Sequence, residues 1–175
     1  MIRALMVMLC SLLAVCPVSA QASRQEGTDG QAAIYRLPLM ERAFLCCRYF
    51  EGWHDQSCYP YVGWGHRLQK GEKYSAHTMT KRQADALLRK DLRKFVAMFR
   101  QFGADSVLLG ALAFNVGPAK LLGNKKYPKS TLIRKLEAGD RNIYREYIAF
   151  CNYKGKRHAM LLKRRKAEFA LLYIP

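Results

Sequence analysis

A stretch rich in glycine and aromatic residues interrupts an otherwise helical pattern and restricts the folds open to this chain. Residues 33–50 carry apolar side chains at helical spacing, and Gly52 suits the position just past a helix end, so Glu51 is predicted to be the last helical residue or close to it. Residues 53–72 lose that period and include strand-favouring residues such as Tyr61 and Val62. We therefore predict a first helix followed by one or two short, irregular β-hairpins.

Helical patterns return after this stretch. Thr80 and Gln83 form a capping-box pattern, and the helix that follows has one continuous apolar face interrupted once, at Asp91. The opposite face of that helix is rich in lysine and arginine. Residues 107–114 are apolar nearly all round, which is typical of a buried helix.

The ends of the remaining helices also carry signals. Asp105 or Ser106 is predicted to cap the buried helix, which stops at residues 115–118 (Asn-Val-Gly-Pro). Ser130 and Asp140 are predicted to cap two short helices, and a final helix is predicted from about Arg157 to Tyr173, with Met160 among its apolar positions. The fold class is therefore α+β and predominantly helical, with a small β-hairpin region after the first helix and a C-terminal helical lobe; a β-sandwich or a doubly wound sheet is excluded.

The beginning of the chain has the pattern of a secretory signal peptide. Arg3 supplies the positive end, residues 5–15 the apolar stretch, and residues 18–20 (Val-Ser-Ala) a small-residue cleavage site. We predict a signal peptide at 1–20, a flexible lead-in at 21–32 and one folded domain at 33–175. The apolar run is shorter than the roughly 20 residues of a membrane span. We expect an exported protein, periplasmic or secreted, that is a monomer with no stable membrane insertion after the leader is removed.

The charge of the chain is strongly positive. There are 30 Lys and Arg residues against 13 Asp and Glu, a net charge of +17. Such a field favours a polyanionic partner: nucleic acid, an anionic membrane surface or the bacterial cell wall. Export argues against nucleic acid. The alternative to a polyanionic partner is a solvated surface that happens to be rich in lysine.

Cysteine chemistry stays open at this stage. Cys46, Cys47, Cys58 and Cys151 follow the leader, and four cysteines allow three pairings among which the sequence does not choose. Cys46 and Cys47 lie on different faces of a helix and are not expected to bond each other. Some of the four are equally well explained as buried thiols. No metal-ligand spacing is present, and we expect no metal and no cofactor.

Six blocks of the chain, in order, resemble the phage-type lysozymes of glycoside hydrolase family 24. The resemblance covers about residues 37–173. The blocks are Glu51-Gly52, the Gly63-Trp64-Gly65-His66 turn, residues 79–95, the Phe114-Asn115-Val116-Gly117 stop, residues 130–140 and the RRxxE block within residues 162–168. The resemblance implies a lysozyme-like domain and cleavage of the β-1,4 bond between N-acetylmuramic acid and N-acetylglucosamine in peptidoglycan.

The resemblance implies that Glu51 is the catalytic acid, and elementary electrostatics agrees. A helix C-terminus carries about half a negative charge, and apolar neighbours further disfavour an ionised carboxylate. Both effects favour a carboxyl that keeps its proton near neutrality, as a general acid must. A surface glutamate at a helix end is the plainer alternative.

The second catalytic group is less clearly marked in the sequence, because the segment between Glu51 and the GxGH turn is shorter than usual in the family. Asp55 stands at the family's aspartate position and Tyr61 at its threonine position. Asp55 is predicted to stabilise the sugar's positive charge or activate water, with a solvated turn residue as the alternative. His54 is a second candidate base, and the Tyr61 hydroxyl a candidate to orient water.

Further side chains are candidates for substrate binding, each with a structural alternative. Asn115 is predicted to meet the sugar's N-acetyl group or to cap its own helix. Trp64, like Trp53, either stacks on sugar faces or fills the core of the hairpin. His66 is either a substrate contact or, preferably, a structural residue hydrogen-bonded beneath the turn.

Three other functions remain compatible with this sequence. The first is a wall-binding protein with impaired catalysis, motivated by Tyr61 and the shortened hairpin. The second is a lytic transglycosylase, which cuts the same polymer but leaves an anhydro product. The third is a cationic membrane-active protein, which the buried-helix pattern fits poorly.

Overall fold

The computed structural model describes residues 33–175, so the predicted signal peptide and lead-in lie outside the described residues. The chain divides into two units, residues 1–42 and 43–175. In the described part of the first unit, the Pro38 carbonyl accepts hydrogen bonds from the backbone N–H groups of Glu41 (2.9 Å) and Arg42 (3.1 Å). Proline suits this place because a helix start does not need its missing N–H.

The first helix, α1, spans Leu39–Glu51 and ends at the predicted residue. Gly52 follows with a φ of +67°, a left-handed conformation that glycine adopts at helix ends without steric cost. The helix buries Ala43, Phe44, Cys46 and Cys47. Its last residue, Glu51, therefore stands where the helix meets the glycine-rich stretch.

A short antiparallel hairpin follows, as predicted. Strand β1 (Tyr61–Val62) pairs with β2 (His66–Arg67), with Tyr61 opposite Arg67 and Val62 opposite His66. An isolated antiparallel bridge joins His54 to Gly63, and a 3₁₀ turn spans Gln56–Cys58. A small apolar cluster lies beneath the hairpin. It contains Val62, Met79, Ala84 and Leu87, with Trp64 packed against it.

Helices α2 (Lys81–Ala97) and α3 (Ser106–Val116) form the centre of the helical part. The capping box at the start of α2 is confirmed, with Gln83 N donating to Thr80 Oγ1 (3.2 Å) and Thr80 N donating to Gln83 Oε1 (2.8 Å). Helix α3 is buried from Val107 to Ala113. At Gly110 a Cβ atom would lie 2.8 Å from the Val96 Cα, so the two helices cross where only glycine fits.

The prediction that the Asp105 side chain caps α3 is wrong. A 3₁₀ segment, Arg100–Asp105, leads into α3, and no side chain caps the helix. The buried Asp105 carboxylate instead accepts hydrogen bonds from Nε and Nη2 of Arg141, each at 2.9 Å. Leaving a buried carboxylate without a cationic partner costs more free energy than leaving a helix start without a side-chain cap.

The C-terminal part consists of short helices and a second hairpin that the sequence did not predict. Its elements are α4 (Ala119–Leu122), α5 (Thr131–Glu137), α6 (Tyr144–Ile148), β3 (Asn152–Tyr153), β4 (Lys156–Arg157) and α7 (Ala159–Leu172). Ser130 caps α5 as predicted, accepting from Ile133 N at 3.2 Å. Asp140 does not cap α6; its carboxylate accepts from Asn142 N (2.8 Å) in the turn before the helix.

The buried residues of α7 differ from the predicted apolar set. Met160 is 54% exposed, whereas Arg164, Arg165 and Glu168 are almost fully buried. Charged residues are seldom found fully buried unless they are paired. This helix therefore brings an ion network into the core, and that network leads to the functional site.

The cysteines of the described chain are free thiols. Cys46, Cys47 and Cys151 are buried and Cys58 is partly exposed. Burial raises the pKa of the Cys47 thiol to about 12, so this thiol is not a nucleophile near neutrality. Among residues 33–175, no helix is both long and apolar enough to cross a membrane.

Candidate functional site

A cleft of about 810 Å³ opens between the end of α1, the hairpin, α2 and the end of α3. Acidic and basic side chains both line it. They are Glu51, Arg67, Glu72, Lys90, Asp91 and Lys94.

Glu51 lines the cleft, and its side chain is 15% exposed. Its Oε1 accepts a hydrogen bond from Arg164 Nη1 at 2.7 Å and lies 3.5 Å from Asn115 Nδ2. Its Oε2 faces the GxGH turn, where a Cβ on Gly65 would lie 3.2 Å away. The two oxygens therefore have different environments: Oε1 is held by donors, and Oε2 lies against a glycine that leaves room beside it.

The surroundings of Glu51 are more polar than the sequence predicts. Apolar neighbours were expected there, whereas the structure places the Arg164 guanidinium against the carboxyl. The prediction that this carboxyl carries a proton stays a prediction.

Arg164 belongs to the ion network of α7. Its Nε donates to Glu168 Oε1 at 2.7 Å, and Glu168 Oε2 accepts from the Tyr147 hydroxyl at 2.9 Å. Burial disfavours charge on Arg164, but Glu168 and Glu51 outweigh burial and raise the pKa of the guanidinium. Arg165 Nη1 lies 3.0 Å from Glu168 Oε2, close enough for an ion pair but too poorly aligned for a hydrogen bond.

Asn115 lies at the end of α3 and lines the cleft, and its contact with the N-acetyl group stays a prediction. Its Oδ1 accepts from Arg165 Nη2 at 2.7 Å. Because Oδ1 is occupied by a guanidinium, Nδ2 is the amide group turned toward Glu51. Arg165 thus fixes which end of the Asn115 amide faces the carboxyl.

His66 is held beneath the turn, as the structural alternative has it. Its ring is 6% exposed, with Nδ1 2.6 Å from Asp91 Oδ2 and Nε2 2.8 Å from Glu72 Oε2. The hydrogen bond to Asp91, aided by the one to Glu72, raises the pKa of His66 against the opposing effect of burial. His66 borders the cleft, but both ring nitrogens are engaged by carboxylates, and this explains the single polar position on the apolar face of α2.

The structure does not bring Asp55 to the cleft. Its carboxylate accepts from Ser57 N (2.9 Å) and Ser57 Oγ (2.6 Å), and it caps the 3₁₀ turn on the exposed side of the hairpin. These hydrogen bonds lower the pKa of Asp55. Asp55 lines a separate pocket of about 160 Å³, because the shortened segment turns the carboxylate outward instead of across the cleft.

The aromatic candidates divide between cleft and hairpin. Tyr61 is 42% exposed and lines both the cleft and the smaller pocket. Trp64 is not among the residues that line the cleft: its Nε1 donates to Asp85 at 2.6 Å, and the Arg48 guanidinium lies 4.7 Å from its ring centre. Trp53 is 39% exposed and packs edge to face with Trp64. The surroundings of Trp64 match the structural alternative.

Sequence reasoning missed the support that α7 gives to the site. The pairing of Arg164 with Glu51 and of Arg165 with Asn115 joins residues far apart in the chain. In the sequence, only the resemblance of the RRxxE block to the family singled out Arg164 and Arg165, because helical periodicity alone assigns charged residues to the surface. The basic face of α2 contributes Lys90 and Lys94 to the lining of the cleft.

Within residues 33–175, no cluster of three or more histidine, cysteine or acidic side chains is arranged to hold a metal ion. The carboxylates that line the cleft pair instead with nitrogen donors, Glu51 with Arg164, and Glu72 and Asp91 with His66.

A predominantly helical α+β domain with a small hairpin after its first helix, and with a cleft lined by a glutamate at the end of that helix, has the features of a lysozyme-like fold. Residues 49–168 match the phage lysozyme family model, and the chain belongs to that family. Family membership supports peptidoglycan hydrolase, and more broadly glycosidase, activity.

Solved structures share this fold. The chain is similar to an endolysin from Escherichia coli O157:H7 phage FAHEc1 (21% identity, TM-score 0.60), over 78% of this chain and 94% of that one. It is also similar to the muramidase domain of SpmX from Asticaccaulis excentricus (23% identity, TM-score 0.61), over 80% of this chain and 100% of that one. A comparison with curated protein sequences finds no match. The predicted lysozyme-like fold is confirmed.

Proposed function

We propose that this protein is an exported muramidase that cleaves the β-1,4 bond between N-acetylmuramic acid and N-acetylglucosamine, with Glu51 as the general acid. The observation that carries the proposal is the place of Glu51, at the end of α1 and on the wall of an 810 Å³ cleft. The names of the two similar structures, an endolysin and a muramidase domain, add support.

The two oxygens of the Glu51 carboxyl have different roles in general acid catalysis. Oε1 accepts from Arg164 and faces the Asn115 amide, so it acts as the acceptor oxygen of the carboxyl. The proton then belongs on Oε2, beside Gly65, from which it passes to the leaving glycosidic oxygen. As the bond from the anomeric carbon to that oxygen breaks, Arg164 stabilises the carboxylate that forms.

The charge of the cleft suits an anionic wall polymer. Lys90 and Lys94 stand one helical turn apart on α2, and Arg67 lies on the hairpin side. The stem peptides of peptidoglycan carry carboxylates, and these cations attract them. The net charge of +17 adds a longer-range attraction that raises the rate of encounter. Export through the signal-peptide pattern of residues 1–20 brings the protein to this substrate.

A second candidate is a peptidoglycan-binding protein with impaired catalysis. The outward position of Asp55 favours it, because no aspartate at that place reaches the cleft. Both candidates predict binding to purified sacculi. Only the muramidase predicts new reducing ends at N-acetylmuramic acid, and mass analysis of the fragments separates these from the anhydro ends of a transglycosylase.

The test is the substitution Glu51→Gln, which keeps the shape of the side chain and removes the transferable proton. We expect turnover of sacculi to fall by about 10²–10⁴-fold or more, while binding is retained. Glu137→Gln is the matched control, because Glu137 is exposed, pairs with Lys129 at 2.7 Å and is not among the residues lining the cleft. Full turnover in the Glu51 variant would reject the proposed acid.

A further inference from the structure

The cleft contains a candidate general base at a position that is not part of the family's motif. The hydrolysis reaction requires a group of this kind. If hydrolysis inverts the anomeric carbon, a group on the face opposite the acid must take a proton from the attacking water. Among the described residues that line the cleft, the carboxylates besides Glu51 are Glu72 and Asp91. Both are bonded to His66, at 2.8 and 2.6 Å. Neither is placed to act as the base, and Asp55 lies outside the cleft.

His54 lines the cleft, and the lining carboxylates other than Glu51 are both bonded to His66. Its backbone is fixed on the hairpin by paired hydrogen bonds, with His54 N donating to Gly63 O (2.7 Å) and Gly63 N donating to His54 O (3.2 Å). Its side chain lines the same cleft as Glu51. The shortened segment therefore carries a histidine into the cleft while it turns the neighbouring aspartate outward.

The imidazole of His54 has a ring nitrogen that makes no hydrogen bond within the described residues. Its Nδ1 is buried and has no hydrogen-bond partner among residues 33–175. Its ring lies beside Tyr61, with 6.0 Å between the ring centres. Buried polar groups are nearly always bonded, so an unbonded one calls for an explanation. His66 provides the contrast, since both of its ring nitrogens are bonded in a structural role.

We propose that His54 is the general base that activates water in this cleft, an inference that rests on the proposed muramidase function. Water attacks the anomeric carbon as the glycosidic bond breaks. One water proton passes to the imidazole, and the Glu51 proton passes to the leaving oxygen. The new C–O bond carries the remaining hydroxyl, and the two side chains then exchange protons with solvent to restore the starting state. Tyr61 lines the same cleft beside the His54 ring.

The first test compares His54→Gln with His77→Gln. His77 is exposed and not among the cleft residues, so its variant controls for the loss of an imidazole. We expect His54→Gln to lower kcat for sacculi by about 10²–10⁴-fold with little change in KM, and His77→Gln to behave as the native protein. His54→Asp, which restores a base, should exceed His54→Gln in kcat. Equal turnover in the native protein and His54→Gln would overturn the proposal.

The second test uses azide and a readout that a purely structural role would not change. Azide attacks the anomeric carbon without losing a proton, so it bypasses a missing base while still using the Glu51 proton. We expect His54→Ala with sodium azide to recover turnover and to release an α-glycosyl azide from the β-linked glycan. Absence of this product in a folded His54→Ala protein that still binds sacculi would overturn the assignment of the base.

The two proposals fail in distinguishable ways. If the native protein releases no reducing ends from sacculi, the muramidase function and the His54 proposal fall together. If the native protein is active, Glu51→Gln is inactive and His54→Gln is fully active, only the His54 proposal is rejected.

Discussion

The two sides of the cleft are stabilised by different kinds of interaction. On the helical side, Glu51 and Asn115 are each held by an arginine of α7, and those arginines share the buried Glu168. On the hairpin side, His54 and Tyr61 depend on strands of two residues and one isolated bridge. Glu51 is held by a buried charged network, whereas the opposite wall has short strands and is partly exposed.

This difference shows which half of the site can change without loss of the fold. Removing one partner from a buried ion network leaves an uncompensated charge and is strongly destabilising. The hairpin side depends instead on its backbone hydrogen bonds and on the small apolar cluster beneath it.

The largest expected effect is on the helical side. Glu168→Gln keeps the volume of the side chain but leaves Arg164 and Arg165 buried without their shared carboxylate. We expect a loss of about 3–5 kcal/mol in the free energy of unfolding. For a chain of this size each kcal/mol shifts Tm by about 2–4 °C, so thermal denaturation followed by circular dichroism measures it.

Glu137→Gln is the matched control for this change. It breaks an ion pair with Lys129 in which both side chains are 44% exposed, and exposed pairs contribute about 0–1 kcal/mol. If the two glutamine variants unfold at the same temperature, the buried network does not hold the helical side, and the contrast between the two walls is lost.

The sequence could predict much of the helical side, because its signals are local. The end of α1 at Glu51, the Thr80 capping box and the buried α3 follow from spacing and caps. The RRxxE block could be recognised, but not the partners of its arginines. Whether an arginine is buried depends on contacts between distant parts of the chain, whereas periodicity alone assigns an arginine to the surface.

The hairpin side was harder to predict for the same reason. The sequence places His54 and Asp55 next to each other, and which of them faces the cleft depends on the pairing of His54 with Gly63. In a strand, successive side chains point to opposite faces, so the register decides between the two. The sequence favoured Asp55 through its family position, while the structure places His54 on the cleft wall.

A smaller effect is expected where His66 joins the hairpin to α2. Its raised pKa means that protonated His66 is stabilised in the folded protein by Asp91, and then by Glu72. This stability is fully present below the pKa of an unfolded histidine, about 6.5, and is lost as pH rises through the higher folded value. The contribution is about 1.4 kcal/mol for each pH unit between the two values.

Glu72 sets the acidic limit of the same interaction. A backbone bond from Gln69, followed by the bond from His66, lowers the pKa of Glu72. Its contribution is present above the unfolded value and is lost as pH falls through the lower folded value. We expect Tm to decline as pH rises above about 6.5 and again in acid, and His66→Gln to flatten the alkaline decline. An unchanged alkaline slope in that variant would contradict the assignment.

The smallest expected effect is at Asp55, and it tests the hairpin side most directly. Asparagine caps a helical turn about as well as aspartate, so Asp55→Asn should change the free energy of unfolding by only a few tenths of a kcal/mol. The carboxylate is exposed and bonded to Ser57, so solvent screens its influence on the neighbouring cleft residues. Because the influence of a screened surface charge is small, turnover of sacculi should fall by less than about tenfold. A loss of about 10²-fold or more, with binding intact, would instead place this carboxylate at the reacting sugar and would return the second catalytic role from His54 to Asp55.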